Sequence, residues 1–305
     1  EERNFVFEQL YLVASSANVG KEMEFKGKRY VIIGIEEACN LAADIAIFSA
    51  GASTSLEWAP KFAEKGTIVI DNSSAWRMDP TKKLVVPEVN GHVLKIDDRI
   101  IDNPNCSTIQ MVMALAPLHV KYKLKRIVVS TYQSVTGTGK DAVTQMMNER
   151  KGVEGKKVYP HPIDMNALPH IDVFQDNGYT KEEMKMENEG RKIMHHPGFR
   201  ASVTCVRVPV FRAHSVSISA EFEKPITPEA ARAVLAKAPG LDVIDDPANK
   251  KYPLALDIAG RDNCAVGRIR QDCAMDNGLA FWVVGDQLLK GAALNAVQIA
   301  ELLVR

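Results

Sequence analysis

The sequence predicts an α/β fold in two parts: a parallel-sheet α/β domain, then an α+β domain with a mainly antiparallel sheet. Three observations predict it. Apolar runs of strand length alternate with helical stretches through the first 130 residues or so, the pattern of a parallel sheet. The texture changes near residue 150, where a Gly/Pro-rich stretch gives way to one charged helix and then to β-rich sequence. The length of 305 residues, 46% of them apolar and 25% charged, suits two globular units.

The first unit reads as the strands QLYLVAS (9–15), DIAIFSA (44–50), GTIVIDNS (66–73) and KRIVVSTYQ (125–133). Between Ala50 and Thr67, GASTSLEWAPKFAEKG has Ser/Thr cap candidates, apolar residues near helical spacing and a closing Gly66, which predicts a crossover helix. After EGKKVYPHPIDMNALPH, a charged helix is predicted over Thr180 to Met194. Strands follow in ASVTCVRVPVFRAHSVSISAEFE, and DQLLKGAALNAVQIAELLVR reads as a terminal helix.

The 38 Lys+Arg balance the 38 Asp+Glu, so the electrostatic case for nucleic acid or an anionic membrane surface is absent. No apolar run reaches the 18 or more residues of a membrane span. The start, EERNFVFEQL, is no targeting signal, and a cytoplasmic protein is expected. Five cysteines at irregular spacing, with no CxxC pair, indicate neither a disulfide framework nor a zinc cluster.

The sharpest motif is Asp102-Asn103-Pro104-Asn105-Cys106-Ser107-Thr108 ahead of the helical run IQMVMALAPLH. Pro104 disfavours helix at Asn103 and Ser107 or Thr108 can cap, which places Cys106 at a helix N-terminus. Free N–H groups there would lower the thiol's pKa and make it a nucleophile; the alternative is a buried structural cysteine. A thiolate nucleophile needs a proton carrier, and His214 in VRVPVFRAHS is the best placed of the seven histidines. The adjacent His195 and His196 diverge and lack a third partner at metal spacing, so no metal is expected.

Arg207 and His214 are seven apart, which on one strand means opposite faces, but Pro209 breaks that strand. Arg207 in CVRVPV reads either as a carboxylate binder or as an edge-strand residue facing solvent. Ser130 to Lys140 forms a turn whose glycines allow close backbone approach to a ligand, although it is not a P-loop. Taken singly, Arg77, Glu182 and Lys185 read as solvated surface charges.

Read together, SAGAS (49–53), IDNSSAWRMDP (70–80), VVPEVN (85–90), NPNCST (103–108), TYQSVTGTG (131–139), VRVPVFRAHS (206–215) and KGAALNAVQIAE (290–301) resemble the aspartate-semialdehyde dehydrogenase family, in order along nearly the whole chain. The resemblance implies interconversion of L-aspartate 4-semialdehyde plus phosphate with L-4-aspartyl phosphate, with NADP(H), on the way to lysine, threonine, methionine and diaminopimelate. It implies that Cys106 forms a thioester, His214 relays the proton and Gln133 orients the intermediate. Arg207 would hold the substrate carboxylate and Glu182 its amino group, with Arg77, Lys185 and Asn105 on the phosphate side. The implied cofactor contacts are Ser15, Ser16, Ser49, Gly51, Ser134 and Gly137.

It further implies a Rossmann-type nucleotide domain of residues 1–105, completed by the terminal helix 286–305, and a catalytic and dimerisation domain of residues 106–285, giving a homodimer or tetramer. Two departures stand out. The family's first strand and Gly-rich turn, of the type GATGAVG, would fall before Glu1, and truncation is the expected reason. The family commonly carries Ser-x-Arg-Ser-Ala-Gly-Lys where this chain has Ser15-Ser16-Ala17-Asn18-Val19-Gly20-Lys21, leaving Ser15, Ser16 or Lys21 to meet the extra phosphate of NADP. The rivals are an N-acetyl-glutamyl-phosphate reductase or glyceraldehyde-phosphate type enzyme, a cysteine hydrolase or acyltransferase without nicotinamide, and a non-catalytic remnant.

Overall fold

The structure is a computed structural model that describes residues 3–304. Its N-terminal part holds a four-stranded parallel sheet in which the strands Ile45–Phe48, Ile68–Asp71, Ile100–Asp102 and Lys83–Leu84 lie side by side in that order. The predicted crossover helix is Ala52–Glu64, and it packs Ala59 and Phe62 on Val69 and Ile100. The opposite face of the sheet buries Ile70 and Ile101 against Ala296, Ile299 and Ala300 of the terminal helix Leu294–Leu303. The carboxyl ends of these parallel strands carry Ser49, Asp71 and Asp102, the edge at which open α/β sheets bind ligands.

Two expected strands sit elsewhere. Only Leu12–Val13 of QLYLVAS is extended, and it belongs to a separate three-stranded sheet with the hairpin Glu22–Phe25 and Lys28–Ile33. The alternation in Glu22–Phe25 spans only four residues and its Met23 is exposed, so EMEFKGKRY gives no core-facing strand signal. KRIVVSTYQ lies in Leu124–Gln133, which is part of the second sheet rather than the parallel one. Its apolar run fits any strand buried on one face, so periodicity could not assign the partner.

The second sheet has six strands, with three antiparallel and two parallel pairings. Leu124–Gln133 is flanked by Arg200–Arg207, parallel, and His214–Phe222, antiparallel. Behind it lies the helix Cys106–Tyr122, buried on every side from Ser107 to Leu115, with Ile109, Met111, Val112, Leu115 and Leu118 fully enclosed, while Val120 and Lys121 near its end are exposed. The charged helix is Lys181–Ile193. Thr180 opens it with a capping box: Glu183 donates its amide to the Thr180 hydroxyl, and the Thr180 amide bonds the Glu183 carboxylate at 2.7 Å. No described helix is long and apolar enough to cross a membrane.

Candidate active site

Cys106 is the first residue of its helix, and Asn105 caps it. The Asn105 side-chain oxygen accepts from the amides of Ser107 and Thr108 at 3.0 and 3.2 Å. The expected caps, Ser107 and Thr108, lie inside the first turn, so they supply N–H groups instead of capping them. Burial pushes the half-buried Cys106 thiol up to about 11, Glu182 raises it further, and Arg207 and Arg77 oppose the rise. The expected lowering is therefore not found.

The helix Lys181–Ile193 presents Glu182, Lys185 and Glu189 to this end of Cys106–Tyr122, at spacings that share one helix face. Glu182 Oε1 accepts from Asn105 Nδ2 at 2.9 Å and Gln133 Nε2 at 3.3 Å, and its Oε2 pairs with Lys185 at 2.9 Å. Burial would raise Glu182, but Lys185 and these hydrogen bonds outweigh it and hold the carboxylate below its ordinary value. Lys185 also pairs with Asp172. Gln133 is fixed in turn by Thr131, whose hydroxyl donates to it at 2.9 Å. Arg77 pairs with Glu189 at 3.1 Å and donates to the Asn72 carbonyl, while the Asn105 amide donates to the other Glu189 oxygen at 2.7 Å.

On the other side, Pro209 lies beyond the end of the strand Arg200–Arg207, and a new strand starts at His214. The two side chains meet at Ser134, which follows the strand between them. Arg207 Nη1 donates to the Ser134 carbonyl at 2.7 Å, and the Ser134 amide donates to His214 Nδ1 at 3.0 Å. Gly137 makes this possible, because a Cβ there would stand 3.0 Å from His214 Cε1 and 3.3 Å from Arg207 Nη1. Burial, then Arg207, hold His214 well below its ordinary value, so it is neutral near pH 7.

The surface reading of Arg77, Glu182 and Arg207 is overturned, since all three are under a tenth exposed. Each is enclosed because another element closes over it, which spacing along one segment does not reveal. Among the described residues, Arg77 Nε, Arg207 Nε and His214 Nε2 are buried donor atoms without a hydrogen-bond partner. Buried polar atoms of this kind call for a ligand or water.

Ser49 and Gly51 stand apart from this cluster, between Ile45–Phe48 and the crossover helix. Gly51 has φ 90° and nothing within 4 Å of where a Cβ would lie, leaving the start of a 13-residue helix open. Such a helix start accepts phosphate. Ser15 precedes a short 3₁₀ turn, Ser16–Asn18, and caps nothing; Lys21 bonds Asn18 at 2.7 Å.

The family model for the semialdehyde dehydrogenase NAD binding domain matches residues 1–96, and that for the semialdehyde dehydrogenase dimerisation domain matches residues 115–290. The aspartate-semialdehyde dehydrogenase of Aquifex aeolicus is 56% identical over all of this chain and 92% of its own. The chain belongs to the aspartate-semialdehyde dehydrogenase family. The Legionella pneumophila enzyme is 47% identical over 100% of this chain and 90% of its own. A crystal structure of aspartate semialdehyde dehydrogenase II from Vibrio cholerae superposes with a TM-score of 0.93 at 42% identity, covering 100% of this chain and 92% of that one; a second structure of that enzyme, complexed with ASA, gives the same values.

This member of the family is an oxidoreductase with an NAD-binding and a dimerisation domain. Sequence reasoning missed Glu189, although its position seven residues after Glu182 puts it on the same helix face. It also missed Tyr159, whose ring lies 5.9 Å from the Arg207 guanidinium. Nothing in the loop around Tyr159 signals that contact.

Proposed function

We propose that this chain is a phosphorylating, NADP-dependent enzyme that interconverts L-aspartate 4-semialdehyde plus phosphate with L-4-aspartyl phosphate, in the branch to lysine, threonine, methionine and diaminopimelate. The observation that carries the reading is the thiol of Cys106 at a helix start whose cap, Asn105, shares Glu189 with the buried Arg77, beside buried Arg207 and His214 atoms that lack partners. The relatives named for this activity and the Vibrio cholerae complex with ASA support the substrate.

Arg207 suits the α-carboxylate, since a guanidinium binds carboxylates in two-point fashion. Glu182 has roughly four lone-pair sites. Asn105, Gln133 and Lys185 occupy three, which leaves room for the substrate ammonium on Oε2. In the oxidative direction Cys106 Sγ bonds to the aldehyde carbon as the carbonyl pair moves to oxygen. His214 Nε2, buried and unpartnered, relays the proton, and Gln133 holds the adduct. Once the adduct carbon has been oxidised, the step a bound dinucleotide would supply, a phosphate oxygen would bond to the resulting thioester carbon and the Cys106 sulfur would leave as thiolate, with Arg77, Lys185 and Asn105 on the phosphate side.

Ser15, Ser16, Ser49, Gly51, Ser134 and Gly137 would hold the dinucleotide, with the open start of the crossover helix suited to a phosphate. When bound, the nicotinamide supplies the redox step that side chains cannot. Lys21, beside Asn18, is the cation available for the extra phosphate of NADP. We assign residues 1–105 with 286–305 to the nucleotide domain and 106–285 to catalysis and dimerisation, as a homodimer or tetramer. We place the enzyme in the cytoplasm, where the free thiols stay reduced.

The test is nicotinamide absorbance on mixing the protein, expressed from its full reading frame, with L-aspartate semialdehyde and phosphate, using NADP and NAD separately and Cys106→Ala as control. Phosphate-dependent NADPH formation that vanishes in the control is expected. Phosphate-independent turnover, or none, rejects the reading.

A further inference from the structure

We infer that the π-helical turn Leu289–Ala293, locked by Lys290, is the seat that positions Cys106. The inference rests on the reading of Cys106 as nucleophile.

The turn is wide: the Gly291 amide bonds the Asp286 carbonyl and the Ala293 amide the Leu288 carbonyl, each five residues back at 3.0 Å. This geometry brings the Gly291 backbone against the start of the Cys106 helix. A Cβ at Gly291 would stand 2.9 Å from Cys106 Cβ and 3.3 Å from its Cα. Carbon atoms pack at about 3.5–4.0 Å. A side chain at Gly291 therefore pushes on the backbone of the nucleophile, which cannot swing aside as a flexible side chain could.

Lys290 fixes the turn. It is 1% exposed, and its ammonium donates to Glu88 Oε2 at 2.5 Å, Asn295 Oδ1 at 2.8 Å and Gln298 Oε1 at 2.7 Å, using all three of its donors. Gln298 returns a bond to Glu88. Asn295 donates to Val85 and to Asn103 Oδ1. Asn103, three residues before Cys106, donates to the Ala292 carbonyl at 3.1 Å and to Asn72 at 2.7 Å. The bonds close a ring from Lys290 through Asn295 and Asn103 back to the turn. Burying an ammonium stabilises little on balance, and what it adds here is a fixed geometry. Lys290 touches no reacting atom, so its role is positioning.

The test compares Gly291→Ala, Lys290→Met and the milder Glu88→Gln with wild type and Cys106→Ala, all expressed from the full reading frame. Four quantities are read: kcat, KM for L-aspartate semialdehyde, melting temperature, and the pH dependence of iodoacetamide alkylation at the Cys106 peptide. A displacement of the order of an ångström at a reacting group costs about 100-fold in rate, the drop in kcat expected for Gly291→Ala. Lys290→Met should lose about tenfold and Glu88→Gln less, with KM changed under about threefold, because only transition-state geometry is affected. The midpoint of the alkylation profile should move in the same order. Wild-type kcat and an unmoved profile in Gly291→Ala and Lys290→Met overturn the seat. So does a loss that follows only the folded fraction. A fully active Cys106→Ala overturns the reading of the nucleophile itself, whereas an inactive Cys106→Ala beside unaltered seat variants overturns the seat alone.

Discussion

The two sides of the site differ in how their polar atoms are used. Around Glu182 most bonds are internal: Asn105, Gln133 and Lys185 fill three positions on the carboxylate, and Glu189 holds Arg77 and the Asn105 amide, with Arg77 Nε left over. Around Ser134, Arg207 and His214 each keep a buried N–H or ring nitrogen without a partner. A saturated network costs nothing further and fixes position, while an unsaturated one is paid for by what binds. The first side is framed largely by its own bonds, and the second keeps more of its polar atoms open.

The sharpest way to break this comparison is on the unsaturated side. His214→Ala should lower kcat about 10³-fold, within the range for a general acid or base, with the melting temperature little changed. Arg207→Lys should raise KM for L-aspartate semialdehyde and lower kcat/KM about 100-fold, because an ammonium cannot replace the two-point guanidinium. If either variant instead lost mainly stability, the two sides would not differ as described.

Substitution at Glu182 should cost stability in addition to weakening substrate binding. Glu182→Gln leaves Lys185 with Asp172 alone and should cost about 1–3 kcal/mol in urea unfolding near pH 7. The Glu182 carboxylate titrates lower when folded, so its contribution is present above the ordinary carboxylate range and lost as pH falls through the folded value. The variant's deficit should therefore shrink below about pH 4.

A further effect, confined to stability, concerns Asp102, which is fully buried beside its register partner Asp71 with neither oxygen hydrogen-bonded. Burial, then Asp71, push it up to about 8, against Lys192 and Arg77. The folded protein keeps this proton where the unfolded chain has lost it, so stability falls as pH rises from about 4 to about 8. Asp102→Asn should remove that slope, giving a gain in melting temperature that grows over this window and is absent at its acid end.

The same division explains what could be read from the amino acids. The helix start at Cys106, the break after Arg207, the crossover helix and the terminal helix follow from local rules, because Pro, Gly and apolar spacing act within one segment. The family motifs pointed to the residues of the site but not to their pairing. Glu189 with Arg77, and Lys290 with Glu88, join residues more than a hundred positions apart, and no local pattern encodes such bonds. The thiol at Cys106 lies above the value its helix start suggests because burial, then Glu182 from a distant helix, raise it, and the local motif encodes neither.

The most direct test of the central claim is to incubate the protein with L-aspartate semialdehyde and NADP without phosphate, digest it, and weigh the Cys106 peptide. The account predicts one aspartyl group on Cys106, held as a thioester and discharged when phosphate is added. An unmodified Cys106 during turnover, or an adduct that phosphate leaves in place, would contradict it.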